Sequence, residues 1–245
     1  MITSLLHACG LDLGSQQELL PATPSNPLGF WESRSFFRLN RSILRELGGS
    51  WDCPPLSEDA GWENKPRLGY LRKQAAKLIN RFEGREPWGW KDPRNCLTLP
   101  LWRKQLPELK ILICVRHPLA VTESLRLRDE IPFAASLALW LTYNRRVLAA
   151  APAESRLITH CDSYLHDPCA ELRRVVKWAG IPATEKQVEN ACQRIDPSLM
   201  HHRLTPDKLS YAALPADLTG CYRDLCDEAE RDEVACYLAA QTSTL

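Results

Sequence analysis

The chain has 245 residues, 31 Lys and Arg against 30 Asp and Glu, and 44% hydrophobic residues. That length suits one α/β domain with helical additions, and a formal net charge of +1 gives no global field for nucleic acid. The longest apolar runs fall short of the ~20 residues of a spanning helix, and the first residues, MITSLLHACG, lack the basic and apolar regions of a secretory signal. Ten cysteines are scattered without CxxC pairs or Cys/His sets at zinc spacing. Reduced thiols in a cytoplasmic protein are expected. Eight tryptophans, most in the first half, point to core packing before ligand stacking.

Ile2 to Cys9 reads as a helix stopped by Gly10. Gly14 to Gly29 is a Pro- and Gly-punctuated loop, either a binding loop or a surface excursion. Glu32 opens a helix whose apolar face carries Phe36, Leu39, Ile43, Leu44 and Leu47, ended by Gly48-Gly49. Trp51 to Pro66 is irregular. Arg67 to Phe82 returns to helical spacing.

The stretch from Trp88 to Arg128 carries most of the chemical signal. Trp88 to Trp90 is a possible short strand running into Lys91-Asp92-Pro93-Arg94. Ile111 to Val115 is an apolar, partly β-branched run, expected as a strand buried on both faces of a parallel sheet. Pro118 suits the first turn of the next helix. Arg116 then sits at the carboxyl end of a strand beside a helix N-terminus, where open α/β sheets bind anionic ligands. Ser124 follows eight residues later, and Lys91 ends the other possible strand.

Beyond this centre, Pro132 to Ala150 is an amphipathic helix and Arg156 to His160 a short strand. Asp167-Pro168 caps a helix closed by Gly180, and Thr184 caps another reaching Ile195. Asp196 to Pro215 is a polar loop with His201, His202 and Arg203, and a last helix is expected from about Tyr222 to Ala240. Strand-like and helical segments alternate, which implies a parallel α/β sheet. No GxxxxGK[ST], GxGxxG or GxSxG occurs, so a complete P-loop NTPase, a Rossmann cofactor and a hydrolase elbow are all unsupported.

KDPRNCLTLPLW followed by ILICVRHPLAVTES resembles the sulfotransferase family that uses 3′-phosphoadenosine 5′-phosphosulfate (PAPS), in particular its bacterial and tyrosylprotein-type branches. LLPATPSNPLGFWE and ITHCDSYLHDPCAELRRVVKWAGIP look similar to bacterial members, so the likeness runs to about Arg203. It implies a single sulfotransferase-like domain over 1–245, a three-layer P-loop-like parallel sheet flanked by helices, with 204–245 as a C-terminal loop and helix. It also implies that Arg116 and Ser124 bind the 3′-phosphate, that Lys91 stabilises charge on the leaving phosphate, and that Glu32 is the general base. Arg94 is either a further anion contact or the ion-pair partner of Asp92. His7 and Asp92 compete with Glu32 as base, and His201, His202 and Arg203 stand where family members close over the nucleotide. No metal is implied. The acceptor would be a hydroxyl on a carbohydrate, lipid, small molecule or protein tyrosine. The family opens with a strand and a G-x-x-R-S-G-T-S-like loop, and MITSLLHACG resembles the helix after that loop. The first strand and phosphosulfate loop are therefore expected to be missing. That departure leaves a rival expectation, a non-catalytic protein of this fold that binds an anion or a protein partner.

Overall fold

A computed structural model describes residues 1–23, 26–56, 60–196 and 214–229. His201, His202, Arg203 and the end of the last expected helix lie outside these residues. Helix α1 (Ile2–Ala8) buries Ile2, Leu5 and Leu6. Helix α2 (Arg34–Glu46) buries Phe36, Leu39, Asn40, Ile43 and Leu44 on one side. Gly48, at φ +79°, stops it in the left-handed region that glycine enters without strain. Helix α3 (Gly69–Ile79) is extended at both ends by short 3₁₀ turns, together spanning the expected segment.

Helix α4 (Asn95–Gln105) is absent from the sequence reading, because Pro100 inside it removes a backbone donor and crowds the preceding turn. Tertiary contacts outweigh that cost. Leu97, Leu99, Leu101 and Trp102 are buried, and Thr98 and Trp102 both donate to Asn40 of α2. Strand β1 (Ile111–Val115) leads through α5 (Pro118–Asp129) and α6 (Phe133–Ala150) to strand β2 (Arg156–His160). The strands pair in parallel, with Ile111 beside Arg156 and Val115 beside His160. The ladder closes with Cys161 N donating to Val115 O at 2.8 Å. Then come α7 (Ser163–His166), α8 (Pro168–Ala179), α9 (Glu185–Cys192) and α10 (Ala216–Glu228). Asp167 accepts from Ala170 N at the start of α8. Thr184 and Gln187 form a reciprocal capping box on α9.

Three apolar clusters hold these elements. Ile111, Ile113, Val115 and Ile158 pack with Leu137, Trp140 and Val147 of α6 and Leu218 and Leu225 of α10. Leu112 and Leu157, on the other side of the strands, meet α1, α8 and α9. The third cluster joins α2, α3 and α4 through rings: Phe36 stacks on Trp90 at 4.4 Å, and Phe82 on Trp88 at 4.5 Å. Trp62, Trp102 and Trp140 are buried, in keeping with a packing role.

Two expectations are corrected. Strand β1 is not buried on both faces: Ile111, Ile113 and Val115 are covered, whereas Cys114 is exposed. Leu112, on the same face as Cys114, is half-buried, so the cover on that face stops short of Cys114; the sheet has two strands among the described residues. Trp88 to Trp90 forms no strand. It makes one parallel bridge with Asp12, closed by Gly89 N donating to Asp12 O at 3.0 Å. Its tryptophans are held by ring stacking rather than by a backbone ladder.

Candidate functional site

The loop before α2 delivers Glu32 into the protein. Trp31 adopts φ +57° there, a strained conformation for a non-glycine residue. Leu20 N donates to Glu32 O at 2.8 Å, and Trp31 Nε1 to Leu28 O at 2.9 Å. Glu32 is thereby turned inward and is 5% exposed. Lys91, 59 residues away in sequence, donates to Glu32 Oε1 at 2.7 Å while keeping 39% of its side chain open to solvent. Burial pushes the Glu32 carboxyl above its ordinary range, and the Lys91 ammonium partly opposes that. A buried carboxylate beside a partly solvated ammonium can both accept a proton and present a cation to an incoming anion.

Arg94 lies on the other side of Glu32. Its guanidinium is 2.8 Å from Asp92 Oδ1 and 3.8 Å from Glu32 Oε2, and it covers the ring of Phe37 at 4.3 Å. Of the two alternatives for Arg94, the ion pair with Asp92 is formed, and the guanidinium also faces Glu32. Its Nε–H is buried without an acceptor. The Asp92 carboxylate is committed to Arg94, the Arg94 backbone N–H and Asn40 Nδ2. Asn40 is in turn saturated by Asn95, Thr98 and Trp102 at 2.8 to 2.9 Å. His7 lies at the surface, bonded to Leu11 O at 2.9 Å and 5.4 Å from the ring of Trp31.

Arg116 follows β1 directly, half-buried, and its carbonyl accepts from Trp140 Nε1 at 3.1 Å. His117 caps α5 by accepting from Leu119 N at 3.1 Å. Burial holds this imidazole neutral, with its pKa down to about 4. Ser124 is half-buried two turns into α5. The structure thus brings Glu32, Lys91 and Arg94 into one cluster and places Arg116 on the β1–α5 connection and Ser124 within α5.

Sequence reasoning misses Asn40, Phe37 and Tyr143. Tyr143 bonds Trp51 O at 2.7 Å, and its hydroxyl pKa is raised by burial. Nothing in local spacing links Asn40 to Asp92 or Tyr143 to Trp51, because each pair is made by tertiary packing. No helix of the described residues is long and apolar enough to cross a membrane. No family model, curated protein or solved structure matches this chain.

Proposed function

We propose that the chain is a sulfotransferase-like protein of the cytoplasm, with a three-layer P-loop-like fold, that transfers a sulfonyl group from PAPS to an acceptor hydroxyl. The observation that carries this reading is the Glu32–Lys91 contact at 2.7 Å. Two residues singled out separately, as base and as leaving-group cation, meet across the third apolar cluster and the α2–α4 packing. The donor set also fits a nucleotide bearing phosphates: an ammonium, guanidinium groups and a hydroxyl, all suited to oxyanions.

PAPS supplies the activated sulfonyl group when bound. Arg116 and Ser124 would hold the 3′-phosphate. Glu32, its affinity for protons raised by burial, takes the proton of the acceptor hydroxyl as the acceptor oxygen bonds to sulfur. Lys91 would stabilise the charge left on the 5′-phosphate oxygen as its bond to sulfur breaks. Arg94 keeps Glu32 oriented from the opposite side. The acceptor hydroxyl belongs to a carbohydrate, lipid, small molecule or protein tyrosine.

A second reading, non-catalytic binding of an anion or protein partner, draws on the same contact: Lys91 and Glu32 already satisfy one another. The test is calorimetry with adenosine 3′,5′-bisphosphate on wild type and Arg116→Ala, followed by sulfonyl transfer from PAPS across an acceptor panel. Binding lost in Arg116→Ala and turnover lost in Glu32→Gln support transfer. Binding without turnover by any acceptor moves the protein to the second reading. No binding by the folded chain sinks both the donor and the assigned 3′-phosphate site.

A further inference from the structure

The outer face of α2 carries Arg34, Arg38, Arg41 and Arg45. Their spacing of four, three and four residues puts all of them on one side of a helix, opposite the buried Phe36, Leu39 and Ile43. Like charges three and four apart repel, and Glu46 is the sole acid on this helix. Among the described residues no carboxylate pairs with Arg41 or Arg45.

At the carboxyl end of this row the surface falls into a cavity of about 400 Å³, lined in part by Phe37, Arg41, Arg45, Trp51, Asp52 and Arg94. Its far wall is firmly built. Ser50 N donates to Cys53 O at 2.8 Å, Tyr143 holds Trp51 O, and Arg146 bonds Pro55 O. Gly49 is obligatory in this wall, since a Cβ there would sit 2.6 Å from Pro55. The near wall is aromatic and cationic: Phe37 lies under Arg94 at 4.3 Å and under Arg41 at 5.7 Å.

The charges around this space do not cancel. Arg94 is matched by Asp92 and Glu32, although its buried Nε–H lacks an acceptor. Asp52 is the one acid in the lining, and its carboxylate accepts from Ser50 Oγ at 2.6 Å. Two guanidinium groups, Arg41 and Arg45, therefore face one carboxylate. Guanidinium forks suit the oxygens of phosphate and sulfate, and Phe37 and Trp51 offer apolar surface to the body that carries such a group.

We infer that this cavity is a binding site for a compact molecule bearing a tetrahedral oxyanion, a phosphate or sulfate ester, on a ring. Arg41 and Arg45 take the oxyanion, and Trp51 and Phe37 flank the ring. The site is separate from Arg116 and Ser124 and stands whether or not the chain transfers sulfonyl groups.

The test is calorimetry of the full chain with phenyl phosphate, phenyl sulfate, benzoate and phenol. At least one of the two esters binds with Kd below about 1 mM, and more tightly than phenol. Which ester binds more tightly identifies the oxyanion. Arg41→Ala and Arg45→Ala each weaken binding about tenfold, the scale of one charge-assisted hydrogen bond. Both residues are exposed, so the variants should melt like wild type, and melting curves check this. Thr184→Ala, in the capping box of α9 and outside the lining, leaves ester binding unchanged. The inference is overturned if neither ester binds, if benzoate binds as tightly as the better ester, or if ester binding survives both arginine substitutions. Failure here leaves adenosine 3′,5′-bisphosphate binding at Arg116 to be judged on its own.

Discussion

Two polar clusters share Asp92 and Arg94, and they are built on opposite principles. Around Asn40 every group is used. Its amide donates to Asp92 and Asn95 and its carbonyl accepts from Thr98 and Trp102, all inside the protein. Such a network joins α2 to α4 and fixes one arrangement. Around Glu32 the accounts do not close. Its carboxylate is buried against its preference, Lys91 is 39% exposed, and Arg94 Nε has no acceptor. Saturated polar groups hold structure, whereas groups left short of partners are available to a ligand.

The largest effect should come from breaking the saturated cluster. Asn40→Leu removes four hydrogen bonds, leaves the buried Trp102 indole without its acceptor and takes one partner each from Asp92, Asn95 and Thr98. A loss of about 3–5 kcal/mol is expected, the scale for breaking a buried polar network, read as a fall in the urea midpoint. A loss under about 1 kcal/mol would show that the network is dispensable and dissolve the contrast.

Lys91→Ala tests the other cluster. If sulfonyl transfer is its chemistry, turnover should fall about 10²- to 10³-fold, as for removal of one donor to developing charge. The melting temperature should fall only modestly, because Lys91 is partly solvated and Arg94 still faces the Glu32 carboxylate at 3.8 Å. A large melting change with intact turnover would reverse the roles of the two clusters.

Most helices, and both strands, are legible because their signals are local. Periodicity marks α2, Pro118 and Asp167-Pro168 mark helix starts, and the run Ile111 to Val115 coincides with β1. Helix α4 is illegible because Pro100 argues locally against it, while the compensation comes from Asn40, 58 residues from Thr98. The Trp88 to Trp90 segment misleads for the opposite reason: its aromatic content suits a strand, yet its partners are rings. At the site, Glu32, Lys91 and Arg116 follow from motif and position. The cavity wall at Trp51 does not, because it depends on Tyr143 reaching back 92 residues. The arginine row of α2 lies open in the sequence, and its significance emerges only with the cavity beside it.

A yardstick between the two clusters is the capping box of α9, remote from both. Thr184→Ala removes the acceptor for Gln187 N and should cost about 1 kcal/mol. It should leave ligand binding untouched. An effect of this size calibrates what an ordinary local hydrogen bond contributes in this protein, against which the Asn40 loss can be measured.

The smallest effect should carry the opposite sign. Burial raises the folded-state pKa of Glu32 above its unfolded value, so the folded chain holds this proton more tightly than the unfolded chain does. The stability linked to that proton is fully present below the unfolded pKa, near 4.5. It is lost as pH rises through the folded pKa, where an ionised and poorly solvated carboxylate remains. Glu32→Gln keeps the shape and removes the charge, and Lys91, already partly in water, loses little. The variant should therefore be more stable than wild type by about 0.5–1 kcal/mol at pH 7–8, and the difference should shrink toward pH 4. Paired urea titrations at the two pH values measure it. A variant less stable than wild type at pH 7 would mean that the Lys91 ion pair outweighs burial, and Glu32 would then belong with Asn40 among the groups that hold the fold together.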